Sequence, residues 1–167
     1  MRKLSALRQY LIDAVPELKR DPDRLLTFVE DGSVAFSRGP NLSHGYRFTA
    51  QLILTDYAGE IDAVMLPLLD WLSVYQPDLE SEQAVAFEAE ILNHNSVDLA
   101  LRVRLDERVV ATRDCETGRI TAEHRMPRFE RPDCPGVRWT LEVRERLGGD
   151  FVKIAEWETA GVDDELY

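Results

Sequence analysis

Residues 52–72 read LILTDYAGEIDAVMLPLLDWL, and the change of period inside this stretch decides the fold. Leading into it, Tyr46, Phe48, Ala50, Leu52 and Leu54 alternate with Arg47, Thr49, Gln51 and Ile53. That period of two is the pattern of a half-buried strand. After Gly59 the spacing lengthens, and Ile61, Val64, Met65, Leu68, Leu69, Leu72 and Tyr75 fall at helical intervals. A strand with one apolar face, joined through a tight acidic turn to an apolar helix, makes the unit from which two-layer cores are built. Pro67 is the awkward residue, since an interior proline costs a helix about 3 kcal/mol. With Asp62 as N-cap, Pro67 predicts a kink or a loose first turn. Trp71 is expected to pack with one edge exposed, and Pro77 to end the helix.

Working outward, Leu4, Leu7, Leu11 and Val15 mark a helix over 3–15, which Pro16 stops because proline disfavours the helical conformation before it. The polar stretch 17–24 reads as a connector. Asp31-Gly32 between the apolar runs 25–29 and 34–37 reads as a hairpin turn. Downstream, Val85, Phe87, Ala89 and Ile91 share one face, with Glu88 and Glu90 on the other. Val97, Leu99, Leu101, Val103 and Leu105 share a face against Asp98, Arg102 and Arg104. These spell strands over 85–92 and 97–105, joined by a turn at Asn93-His94-Asn95-Ser96. A further hairpin is expected from 108–113 and 119–124, turned at Glu116-Thr117-Gly118. The predicted fold is α+β, a mainly antiparallel sheet with strands at 46–55, 85–92 and 97–105. Two main helices, 3–15 and 61–75, pack on one face. Phe48, Leu52, Leu68, Leu72, Phe87, Ile91, Leu99 and Leu101 are expected in the core.

The composition shifts at Met126, where Pro127, Pro132, Pro135 and Gly136 mark a linker. Beyond it, Trp139, Leu141 and Val143, then a Gly148-Gly149 turn and the run 151–157, spell a C-terminal β-hairpin. A lone hairpin is marginal in water, so this one must dock or add to a sheet edge. The expected organisation is a main domain at 1–125, a linker at 126–137, the hairpin at 138–158 and an acidic, frayed tail at 159–167 carrying Asp163, Asp164 and Glu165.

The 167 residues suit one main domain with a sizeable core. With 31 acids against 20 Lys and Arg, the formal charge is -11, which repels phosphate backbones and argues against a nucleic-acid partner. No run of about 18 apolar residues is present, so no membrane-spanning helix is expected. Ser5, Arg8, Gln9 and Asp13 interrupt what a signal peptide would need after Met1-Arg2-Lys3. Cys115 and Cys134 do not make a disulfide framework and read as free thiols of a reducing compartment.

Chemistry is sparse. His44, His94 and His124 stand far apart with no ligand-spaced partners. Nucleotide-loop, zincin and nucleophile-elbow motifs do not occur. The acidic neighbours of Cys115 and Cys134 disfavour a thiolate. Asp56, Glu60 and Asp62 form an acidic turn that reads first as a solvated helix start, suited to the helix dipole. A protein contact is the second reading of this turn, and calcium, which needs six to eight oxygens, the third. No catalytic, cofactor-binding or metal-binding residue is assigned. The candidate protein-interface residues are Asp56, Tyr57, Glu60 and Asp62 in the acidic turn, and Trp139 and Trp157 in the hairpin.

The stretch TDYAGEIDAVMLPLLDWL with Gln76-Pro77-Asp78-Leu79 resembles the GpR family, tail completion protein R of contractile-tailed temperate bacteriophages. Residues 7–16, Asn41-Leu42-Ser43 leading into Tyr46-Arg47-Phe48-Thr49, Phe87-Glu88-Ala89-Glu90-Ile91-Leu92-Asn93 with Val97-Asp98-Leu99, and the strand 119–124 are similar to the family in the same order. The resemblance covers roughly residues 4–125 and rests on packing motifs. It implies a structural virion protein at the head-proximal end of the tail, assembled in the host cytoplasm, that caps the tube and enables head–tail joining. The implied partners are the tail tube protein and head–tail connector or completion proteins, with the chain itself in a homo-oligomeric ring. The alternative is a transient tail-assembly chaperone or binding module that leaves before completion. A small enzyme, the third possibility, would need a site assembled from scattered residues.

Overall fold

A computed structural model describes residues 1–80, 82, 84–92, 96–126, 138–144 and 149–158. The expected turn at Asn93-His94-Asn95, the linker beyond Met126 with Cys134, Gly148 of the hairpin turn and the acidic tail lie outside the described residues.

The elements run α1 (Arg2–Ala14), α2 (Pro16–Arg20), a 3-10 turn (Pro22–Arg24), β1 (Leu25–Phe36), β2 (His44–Tyr57), α3 (Asp62–Tyr75), β3 (Val85–Ile91), β4 (Val97–Arg113), β5 (Ile120–Arg125), β6 (Arg138–Val143) and β7 (Val152–Glu158). The fold is α+β. One antiparallel sheet has the order β1-β2-β4-β3, with β5 pairing the far half of β4, and β6 with β7 forms a separate hairpin.

The period-two strands put Phe48, Ala50, Leu52 and Leu54 of β2 beside Leu105, Val103, Leu101 and Leu99 of β4, all buried on one face. Onto that face pack Leu4, Leu7 and Leu11 of α1 and Val64, Leu68 and Leu72 of α3. Alternation in the strands and helical spacing in α1 and α3 thus meet in a single core.

Several expectations need correction. Asp31-Gly32 is not a hairpin turn. Strand β1 continues through it and pairs with β2 on both sides, with two residues opposing one between Glu30↔Thr49 and Ser33↔Arg47. Asp31 absorbs this bulge at φ 50. Likewise 97–105 and 108–113 are one strand, because the alternation continues through the buried Glu107. The connector 17–24 holds the short helix α2, whose Leu18 is buried. In α3 the N-cap is Ile61 and Asp62 opens the first turn. That turn is tightened by bonds from Ala63 N to Glu60 O and from Val64 N to Ile61 O, and the helix runs unbroken past Pro67. Trp71 is fully buried, with its ring against Tyr75, rather than edge-exposed.

Phe87 and Ile91 are the largest departure. Both point to the helix side of the sheet but are exposed, because β3 is an edge strand beyond the reach of the helical layer. In the helix, Leu69 lies at the margin of the apolar stripe and is also exposed.

Candidate functional site

The acidic turn grows out of the end of β2. Between Leu54↔Leu99 and Tyr57↔Val97 two residues oppose one, and Asp56 takes up the bulge at φ 50. Its N–H donates to Asp98 Oδ1 at 2.7 Å, and its carboxylate pairs with Arg24 Nη2 at 3.1 Å. Hydrogen bonding from Ser96, then from Arg24, holds the Asp56 carboxyl below its usual range. Arg24 is the hub of this corner. It also donates to Thr55 O at 3.0 Å and to Glu17 Oε1 at 2.8 Å, while the Glu17 carboxylate accepts the Ala58 N–H. The turn is therefore braced by α2 and the 3-10 turn.

Tyr57, among the interface candidates, is placed inside the turn rather than on its surface. Its ring is buried and its hydroxyl donates to Glu60 O at 2.9 Å. A Cβ at Gly59 would lie 2.5 Å from that hydroxyl, so the close approach requires glycine. Glu60 and Asp62 remain exposed and, with Asp56, give this end of the sheet an acidic rim. Among the described residues, no group of three His, Cys, Asp or Glu has the geometry to hold a metal ion.

The tryptophans lie elsewhere. Trp139 and Trp157 are paired across the β6–β7 hairpin. Trp157 Nε1 donates to Asp70 Oδ2 at 3.3 Å, and Tyr10 OH donates to the same oxygen at 2.7 Å. The hairpin thus docks on α1 and α3 and does not extend the main sheet. Asp70 stands eight residues beyond Asp62, roughly 12 Å of helix rise, so the six candidates divide between two places. Beside the docked hairpin, a groove of about 1320 Å³ runs between α1 and β7, lined by Gln9, Tyr10, Lys19, Trp71 and Lys153 among others.

A third polar centre was not anticipated. Glu107, buried in β4, accepts the N–H of Lys3 at 2.8 Å through Oε1, and its Oε2 lies 3.1 Å from His124 Nδ1. That N–H belongs to the open first turn of α1, where a carboxylate is favoured. The buried Lys3 amine donates to Tyr75 O at 2.7 Å, to Gln76 Oε1, and to Asp106 Oδ1 at 3.2 Å. Burial pushes that amine below the ordinary lysine value, against the pull of Asp106 and Glu107. One lysine therefore ties the start of α1 to the end of α3 and to the middle of β4. The only sequence signal was an acid at a core-facing position between Leu105 and Val109. These groups are tied to one another across elements, which is the arrangement of a structural joint.

Comparison with known proteins agrees with this structural character. The family model for P2 phage tail completion protein R (GpR) matches residues 1–128. The chain is 37% identical over 117 residues to tail completion protein R of Escherichia phage P2, covering 67% of this chain and 76% of that protein. No solved structure matches. The matched residues contain the five-stranded sheet and all three helices, and the chain belongs to the phage tail completion protein R family, a family of structural tail proteins.

Proposed function

We propose that this protein assembles into a ring that caps the head-proximal end of the tail tube and presents the surface to which a filled head joins. Stacked tube rings offer the same open surface after every addition. Stopping growth requires a cover whose outer face differs from its inner one. A ring built from head-to-tail contacts has two dissimilar faces and does this without chemistry. Its partners are the tail tube protein on one side and head–tail connector or completion proteins on the other.

The observation that carries this reading is the match to a protein named for tail completion, which spans the sheet and both main helices. The net charge of -11 helps to keep unassembled subunits apart. The acidic rim of Asp56, Glu60 and Asp62 is the candidate contact on one face of the ring. Trp139 and Trp157, on the docked hairpin, flank a second candidate contact. The test is an infection lacking this protein. It should yield filled heads and separate tails, and adding the purified protein to that lysate should restore joining. Normal joining without the protein overturns the reading.

A further inference from the structure

Open sheets have two edges, and among the described residues both leave apolar side chains exposed on the helix side. Strand β1 ends the sheet on one side and β3 on the other. On the helix side, Val34 and Phe36 of β1 are 54% and 69% exposed, and Phe87 and Ile91 of β3 are 58% and 78% exposed. Natural edges are shielded by charge, proline, bulges or shortness; in β1 the acids and the bulge fall at Glu30 to Gly32, which leaves Ser33 to Phe36 with none of them.

We infer that the far half of β1 pairs with β3 of a second copy of this chain, head to tail, so that the sheets of neighbouring subunits become continuous. Strand direction permits it. The sheet alternates antiparallel from β1 to β2, β4 and β3, so a following β1 lies antiparallel to β3. The register that sets Phe36 against Phe87 also sets Val34 against Ala89, Ala35 against Glu88 and Ser33 against Glu90. Apolar side chains then meet on the helix side. On the other face Arg47, the cross-strand partner of Ser33, reaches Glu90 over that small serine. The span is two strand spacings, roughly 10 Å, within reach of an arginine and a glutamate. Arg47 of β2, beside the β1 edge, thus faces the acidic outer side of β3.

Charge also disfavours the symmetric alternatives. In the register centred on each strand, a two-fold pairing of β1 sets Glu30 against Asp31 and one of β3 sets Glu88 against Glu88, like charges in direct opposition that Arg102, 3.0 Å from Glu88 and 4.0 Å from Glu30, offsets only in part. A head-to-tail contact is the kind that closes into rings. The inference supplies the self-contact that the capping reading needs, and it rests on that reading only for the ring's place in the tail.

The test uses full-length protein with Cys115→Ser and Cys134→Ser as background. Ala35→Cys and Glu88→Cys, both at exposed strand positions, are introduced in separate chains. Each purified protein, and an equal mixture, is treated with a short bismaleimide and read on a denaturing gel. Cross-linked dimer should appear in the mixture and be absent from either protein alone. Equal cross-linking of one variant by itself, or none in the mixture, overturns the inference. If the mixture cross-links but the protein fails to restore head joining, the capping reading falls alone. If joining is restored without the cross-link, the edge contact falls alone.

Discussion

At position 107 an acid occupies a core-facing place in β4 because it has work to do there: it receives the first turn of α1 and meets His124. Glu107→Ala leaves the Lys3 N–H and the neighbouring buried amine without that charge. It should cost roughly 1.5–3 kcal/mol, the range for losing a hydrogen bond to a charged group, as read from denaturant melts. A loss below about 0.5 kcal/mol, as at ordinary surface sites, would show that the joint is not structural. Tyr57 gives a pH signature. Burial, then the charges of Glu17 and Glu60, push its phenol well above the ordinary value. Above about pH 10 the unfolded chain releases this proton while the folded chain keeps it, so unfolding releases a proton. Stability is unaffected below that window and falls as pH rises through it. Tyr57→Phe should lose less stability between pH 9 and 11 than the parent does, and an unchanged slope would contradict the assignment. Neither residue declared its role in the sequence. Glu107 fell between the strands expected over 97–105 and 108–113, since its partners come from distant elements, and Tyr57 read as part of an acidic turn whose bracing by α2 only the fold reveals.

The elements whose residues pack on one another were the legible ones. Period two placed β2 and the near half of β4, and helical spacing placed α1 and α3, since burial on one face writes the pattern directly. The bulges at Asp31 and Asp56 were not legible. Asp-Gly promises a turn in isolation, yet continuous pairing with β2 overrides it here. Phe87 and Ile91 alternate as core residues do, but alternation cannot say whether a helix lies above the strand. Within α3 the contrast is sharp. Leu68 is fully buried, so Leu68→Ala should cost roughly 2–5 kcal/mol. Exposed Leu69→Ala should stay within about 0.5 kcal/mol. Equal losses in denaturant melts would show that the helix is rotated.

For the whole molecule, the family match ends at residue 128, just after the buried Met126, while the β6–β7 hairpin docks by Trp157, Asp70 and Tyr10. We expect a chain truncated after Arg128 to fold and melt cooperatively with the sheet and helices intact, as read by circular dichroism. An unfolded product would place the hairpin within the core unit. The expectation that the hairpin docks was legible from its apolar alternation, but its docking site was not, because Asp70 lies on the polar side of a helix read for its apolar one. At this scale the proposed role is positional: a ring that caps the tail tube would sit at one end of the tail and stay there. The most direct measurement is antibody labelling of purified, headless tails under the electron microscope. The account predicts a single cluster of label at the head-proximal end of each tail. Label along the tube, at the opposite end, or absent from finished tails would contradict it.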